Sequence, residues 1–483
     1  MSSAPHTTEA VCTPEVTPAQ IDASCRVPLL LIFVSSAAWL VISSILGLIA
    51  SVKMHSPTLL ADCRFFTFGH VQAAAFNTLL YGFIAQAAIG VMLWLIARLG
   101  RTTLVGGGFA AVGAIFWNLG VTLGLIGIMI GDGSGYEWFE FPKYAAGVLL
   151  GAYFLMGLVG GFTFASRKNE EMYPSQWFLL AALFWFPWTY ATAVALIHWS
   201  PVAGVMQSIV HQWFAHNFVT VWLGSIGIAT AFYFVPKISG KPLASYSYAL
   251  VTFWFLLIFG GMGGMHHGMP VPAWLPSLST VMAFLLIGPV LAFILNLQKT
   301  LFDGDGGLPK SIVLNFIIGG SVALLAGSLM KAVGSIPYIN DYTYFTYFTT
   351  AQSKLFLLGF ASLILLGAVY HIVPQVTGME WPFEGAIKAH FYLAVAGTLF
   401  IVVPLAIGGV MQGGKLASTA NFGDVTKAAM MAFRPSTLGD LLWLFGSMAL
   451  LANIKLLIFR MVKANVVCCV CDSKTAKTRE ATV

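Results

Sequence analysis

The feature that most constrains this chain is a succession of apolar runs, each long enough to cross a bilayer and each closed by Gly, Pro or charged residues. They fall at roughly 27–52, 69–98, 105–131, 144–166, 174–200, 209–236, 246–267, 275–298, 310–333, 346–374, 386–411 and 436–462. A spanning helix needs about 20 apolar residues, and hydrocarbon tolerates only helices or closed barrels. The runs therefore predict an all-α integral membrane protein, a bundle of about twelve transmembrane helices. Only 9% of the 483 residues are charged and 58% are hydrophobic, whereas soluble domains carry about 25% charged residues. A soluble globular fold is excluded.

Three segments follow from this pattern: a cytoplasmic tail over 1–26, a membrane domain over 27–462 and a cytoplasmic C-terminal tail over 463–483. Residues 1–26 hold Pro, Thr and acids without an apolar core, which reads as a tail and not as a cleavable signal. Lysine and arginine set the orientation, because basic loops stay on the cytoplasmic side. The loops after even-numbered runs, Arg26 and the stretch from Lys455 to Arg479 hold about sixteen of the 24 Lys+Arg, against about seven on the opposite side. Both termini are expected in the cytoplasm, with the chain in a bacterial-type inner (plasma) membrane. The formal net charge of +6 is then a matter of topology. No basic patch with interleaved aromatics suggests nucleic acid.

That topology gives each histidine a depth. His70, His198, His211, His216, His266 and His267 gather near the outer leaflet, while His371 and His390 sit at inner helix ends. Ligating side chains inside a bilayer are costly and usually mark function. The sharpest pattern is His216 in the sixth run together with the adjacent His266-His267 pair ending the seventh (GGMGGMHHGMP). Three imidazoles from two neighbouring helices suit copper, iron or zinc. Adjacent helical residues point about 100° apart, so the pair converges only where the helix ends or distorts, and Gly263, Gly264, Gly268 and Pro270 supply that distortion. The alternative is that interfacial histidines merely face water.

Several segments carry a family resemblance: HQWFAHNFVTVWLGSIGIATAFYFVPK, KPLASYSYALVTFWF, the HH pair followed by PAWLPSLSTVMAF, and IKAHFYLAVAGTLFIVVPLAIGGVMQG. Together they resemble subunit I of the heme-copper oxidases, in the cbb-type cytochrome c oxidase branch. The resemblance implies copper held by His216, His266 and His267, and an axial bond from His70 to a low-spin heme b. It implies a His-x-His on the tenth helix, where this chain has Gln352 and Lys354. His371 lies almost a bilayer's thickness further along that helix and is no substitute. A neutral Lys354 amine is a conceivable iron ligand; snorkelling or lining a wet cavity is the alternative.

Other family positions also differ. Gly260 stands where the cbb-type branch carries a tyrosine, Thr220 stands four residues after His216 where relatives have Tyr or Glu, and a helix 9 glutamate is replaced within Ala323–Ala326. Tyr246 and Tyr248 resemble the start of a proton path, or serve as interfacial anchors. Cys468, Cys469 and Cys471 lack a fourth ligand nearby and read as reduced thiols, with lipidation or metal binding as alternatives.

The resemblance thus implies a subunit I-like component of a respiratory cytochrome c oxidase, working with other membrane subunits and cytochrome c-type electron donors. Two other readings stand beside it: a heme-deficient, non-catalytic paralogue acting as a metal-binding or assembly subunit, and a nitric oxide reductase-like enzyme.

Overall fold

A computed structural model describes residues 16–303 and 309–480, with side chains up to 464. Eleven helices are long and apolar enough to span a membrane: Pro18–His55 (α1), Phe68–Leu99 (α2), Gly107–Ile130 (α3), Lys143–Ala165 (α4), Pro174–Trp199 (α5), Val205–Ser239 (α6), Trp274–Phe302 (α8), Ile312–Gly334 (α9), Tyr347–Thr377 (α10), Glu384–Leu416 (α11) and Phe422–Ala464 (α12). The seventh apolar run gives a shorter helix, Tyr246–Gly261 (α7). The expected all-α membrane bundle is therefore what forms, and the described residues contain no strands.

The sequence expected α1 to begin near residue 27, yet it begins at Pro18 because a capping box starts it there. The Thr17 side chain accepts from Gln20 N, and Gln20 Oε1 accepts from Thr17 N at 2.9 Å. The extra turns are pinned to the end of α2, since Asp22 accepts from Trp94 Nε1 and from Arg98, both at 2.9 Å. Residues 18–26 are thus part of the bundle, and Cys25 is buried in it. Cys12 and the side chains of Cys468, Cys469 and Cys471 lie outside the described residues.

Burial ranks the helices. The most apolar stretch of α2 is entirely buried and those of α6 and α10 are 83% and 89% buried, against 33% for α8. These three helices are the axis of the bundle, and the others turn side chains such as Phe154, Phe162, Phe184 and Leu399 outward to lipid. Each axial helix also widens into a π-helical stretch: Thr78–Ala85, Asn217–Leu223 and Leu355–Ser362. Two of these begin directly after His216 and Lys354. Such widenings are frequent at functional sites.

Candidate functional site

A cavity of about 350 Å³ lies between α6, α9 and α10 at the histidine-rich end of the bundle, lined in part by His216, Thr220, His266, Lys331, Gln352 and Glu137. His216 is 7% exposed and is placed by the last turn of α6 before the π-helical stretch. Its Nδ1 accepts from Lys331 Nζ at 2.9 Å and lies 3.2 Å from Thr220 Oγ1. Its Nε2 is buried without a hydrogen-bond partner, against Gly263, where a Cβ would lie 2.5 Å away. At Gly264 a Cβ would meet the Cβ of His216 at 2.6 Å, and φ is +108°. Only glycines let this strand of chain pass so close to the ring.

The seventh helix was expected to reach residue 267, and it stops at Gly261, whose carbonyl accepts from Asn217 Nδ2 at 3.3 Å. The His266-His267 pair therefore sits in irregular chain, and its rings separate. His266 lines the cavity and stacks on Tyr344 with ring centroids 5.0 Å apart. Burial, then the Lys331 charge and His267, hold its imidazole down at about 4. His267 turns aside: its Nε2 lies 3.2 Å from Thr280 Oγ1, and its carbonyl accepts from Asn340 Nδ2 at 3.0 Å. Among the described residues no group of three or more His, Cys, Asp or Glu is gathered so that it could hold a metal ion. In place of three converging imidazoles the structure has two imidazoles and an amine.

Lys331 is the cavity residue that sequence reading missed. It lies in the last turn of α9, is half-buried and lines the cavity. The signal was available, because a lysine three residues inside the end of an apolar run is expensive in a membrane.

Lys354 lies on the other side of α10. Its Nζ donates to Asp440 Oδ1 of α12 at 3.2 Å, with the two side chains 15% and 9% exposed. The pair borders two cavities of about 50 and 340 Å³. Phe68, Gly69, Gln72, Ala73 and Phe76 of α2 line the larger one, and His70 does not. The His70 ring sits instead beside Gly131, with Nδ1 buried and unpartnered. Glu137 lines both this cavity and the main one. Burial raises its carboxyl, and burial pushes Glu140 up to about 7 against the pull of Asn77, whose Nδ2 donates to Glu140 at 2.6 Å.

The remaining histidines have structural partners. His211 Nε2 lies 2.6 Å from the Glu137 carbonyl and His198 stacks on Phe139 at 4.8 Å, so both hold the loop bearing Glu137 and Glu140. His390 Nδ1 lies 2.8 Å from the Tyr370 hydroxyl, and His371 packs on Phe234.

The family described as Cytochrome C and Quinol oxidase polypeptide I matches residues 27–442. The chain belongs to this family. The Cbb3-type cytochrome c oxidase subunit CcoN1 of Stutzerimonas stutzeri is 27% identical over 399 residues, covering 79% of this chain and 82% of that protein. Cytochrome c oxidase subunit 1 of Rhodobacter capsulatus is 23% identical over 449 residues, 87% of this chain and 83% of that one. A heme-copper terminal oxidase dimer solved by cryo-electron microscopy superposes with a TM-score of 0.75 over 89% of this chain and 84% of its own, at 13% identity, and so shares the fold.

Membership implies heme and copper, and the residues present do not fit either group as the family would hold it. Heme iron needs strong axial donors. The two α10 positions offer an amide, Gln352, and an amine already bonded to Asp440. His70, the other axial position, is not among the residues lining the adjoining cavity. At the copper position His216 Nδ1 is occupied by the Lys331 amine.

Proposed function

We propose that this chain is a heme-deficient member of its family that keeps the subunit I bundle as a partner or assembly subunit of a membrane respiratory complex. The single observation that carries this reading is Lys331 donating to His216 Nδ1 at 2.9 Å, in the cavity also lined by His266 and Gln352. An ammonium there supplies fixed positive charge where relatives would place a metal, and the Lys354–Asp440 pair in α10 and α12 leaves no ligand for a second heme. Thr220 beside His216 further separates the site from the tyrosine- or glutamate-bearing pattern to which the sequence was compared. Cytochrome c-type subunits are the proposed neighbours in the membrane, with both termini on the cytoplasmic side.

A copper reading is kept alive by His216 and His266 facing one cavity. It requires His267 to leave Thr280 and Lys331 to withdraw. Chemical assay of heme and copper in the chain purified from its native membrane tests both. The expected result is less than a tenth of a heme or copper per chain. Two hemes b per chain with dioxygen reduction from reduced cytochrome c refutes the proposal, and one copper without heme selects the second reading. Reporter fusions at Arg26 and Lys463 test the orientation, which fails if both are exported.

A further inference from the structure

At the end of the bundle opposite the His216 cavity, several basic residues are used within the chain. Arg98 pairs with Asp22 at 2.9 Å, Arg26 Nε donates to the Val376 carbonyl at 2.7 Å, and Lys241 Nζ donates to the Leu301 carbonyl at 3.0 Å. Three others form a group of a different kind. Arg101 follows α2, and Arg167 and Lys168 follow α4. The two turns are joined, because Lys168 N donates to the Gly100 carbonyl at 2.9 Å and Asn169 Nδ2 to the Leu99 carbonyl at 2.7 Å. A Cβ added at Gly100 would lie 3.2 Å from that of Arg167. Among the described residues the only two ion pairs are Arg98–Asp22 and Lys354–Asp440, so none of the three cations has a carboxylate within 4 Å, although Glu170 and Glu171 follow in the same loop. The backbone holds the group in place. α2 closes with Arg101 N donating to the Arg98 carbonyl at 3.4 Å and Thr102 N to the Ala97 carbonyl at 3.2 Å. That puts Arg101 itself at φ +48°, the left-handed position where helices usually carry glycine. Arg167 is fixed from the other side, with its Cζ 4.5 Å from the centre of the Phe164 ring and its Nη1 donating to the Phe164 carbonyl at 3.3 Å. Beside the cations the surface turns apolar: Val105, whose N donates to Thr163 Oγ1 at 3.1 Å, is followed by Phe109 in the first turn of α3, and Phe162 lies in the last turn of α4. Both phenylalanines are mostly exposed, at 66% and 60%.

We infer that the α2–α3 and α4–α5 turns form a headgroup site for an anionic phospholipid, its phosphate held by Arg101, Arg167 and Lys168 and an acyl chain lying along Val105, Phe109 and Phe162. Guanidinium groups meet phosphate oxygens in bidentate, charge-assisted hydrogen bonds, and the lysine adds a compact charge. Scattered basic residues at a membrane surface attract anionic lipid without choosing a place for it. Three that are fixed by one pair of joined turns, with no carboxylate to neutralise them, attract the same headgroup. The bound lipid supplies the counter-ion that Asp22 supplies to Arg98.

Native mass spectrometry of the full chain, released from detergent after titration with phosphatidylglycerol, tests the site. The expected result is a saturable first lipid that is retained at least about tenfold better than phosphatidylcholine. Replacing Arg101→Gln, Arg167→Gln and Lys168→Gln together should weaken phosphatidylglycerol at least about tenfold. Lys388→Gln, Lys455→Gln and Arg460→Gln together remove the same charge from exposed positions at the same end of the bundle, and should change it by less than about twofold. Should the first triple variant fail to purify, Lys168→Glu alone decides, with a loss of about tenfold expected from one reversed charge. Equal retention of the two lipids, or equal weakening by the two triple variants, overturns the site by reducing it to general surface charge. Displacement of the lipid by excess inorganic phosphate also overturns it, by assigning the cations to a free anion.

Discussion

Lys354 and Lys331 stand on opposite sides of α10 in the same bundle, and they answer the cost of a buried charge differently. Lys354 meets Asp440 at 3.2 Å and borders cavities of about 50 and 340 Å³. Lys331 meets the His216 imidazole at 2.9 Å and borders a cavity of about 350 Å³ at the histidine-rich end. The difference separates structure from function. A charge neutralised within the chain ties helices together, whereas Lys331 is met only by an imidazole and open space.

The most severe way to break this contrast is to remove one half of the closed pair. Asp440→Asn leaves Lys354 charged and buried, and should cost about 3–5 kcal/mol in thermal or denaturant unfolding in detergent. Replacing both residues together, Lys354→Met with Asp440→Leu, should recover most of that loss. A single variant as stable as the native chain would show that the pair is not closed.

A smaller effect is expected at Gly264. Alanine there must adopt φ near +108° and press on the Cβ of His216, at a cost of about 1–3 kcal/mol. The ring should shift off Lys331, and the same unfolding measurement reads the loss. Smaller still is Lys331→Met: it removes one hydrogen bond but also an uncompensated charge, so stability should change by less than about 1 kcal/mol, or rise. A loss as large as that of Asp440→Asn would mean that Lys331 has a counter-ion within the chain.

A pH-dependent effect concerns the carboxyl between the two regions. Glu140 has an ordinary value of 4.5 and is pushed up to about 7 by burial. A carboxyl raised on folding favours the folded state most below its unfolded value, and this contribution falls away as pH climbs through the folded one. Melting temperature should therefore decline from about pH 4.5 to about pH 7, and Glu140→Gln should flatten that slope while keeping the Asn77 bond. An unchanged slope in the variant would assign the pH dependence elsewhere.

The fold was legible because hydrocarbon permits so few solutions: apolar runs of the right length dictated helices, and the HQWFAHNF and HHGMP segments pointed to the family before any geometry was known. Boundaries set by polar contacts were less legible. The Thr17–Gln20 box and the Asp22 contacts drew α1 outward, beyond the apolar run, and Asn217 stopped α7 before its histidine pair. That early stop is why His266 and His267 diverge. The losses at Gln352 and Lys354 could be read directly, since they are absences in a motif. A lysine inside an apolar run was legible at Lys331, but its partner was not, because the contact with His216 depends on α9 lying beside α6, which no local pattern encodes.

The account stands or falls on what occupies the space around His216. A density map of the chain isolated with its native membrane partners, at a resolution that shows side chains, tests this most directly. It should show the Lys331 head group against His216 Nδ1, Lys354 against Asp440, and no macrocycle beside α10. A heme in either place, or a metal bound by His216, His266 and His267 with Lys331 displaced, would contradict it.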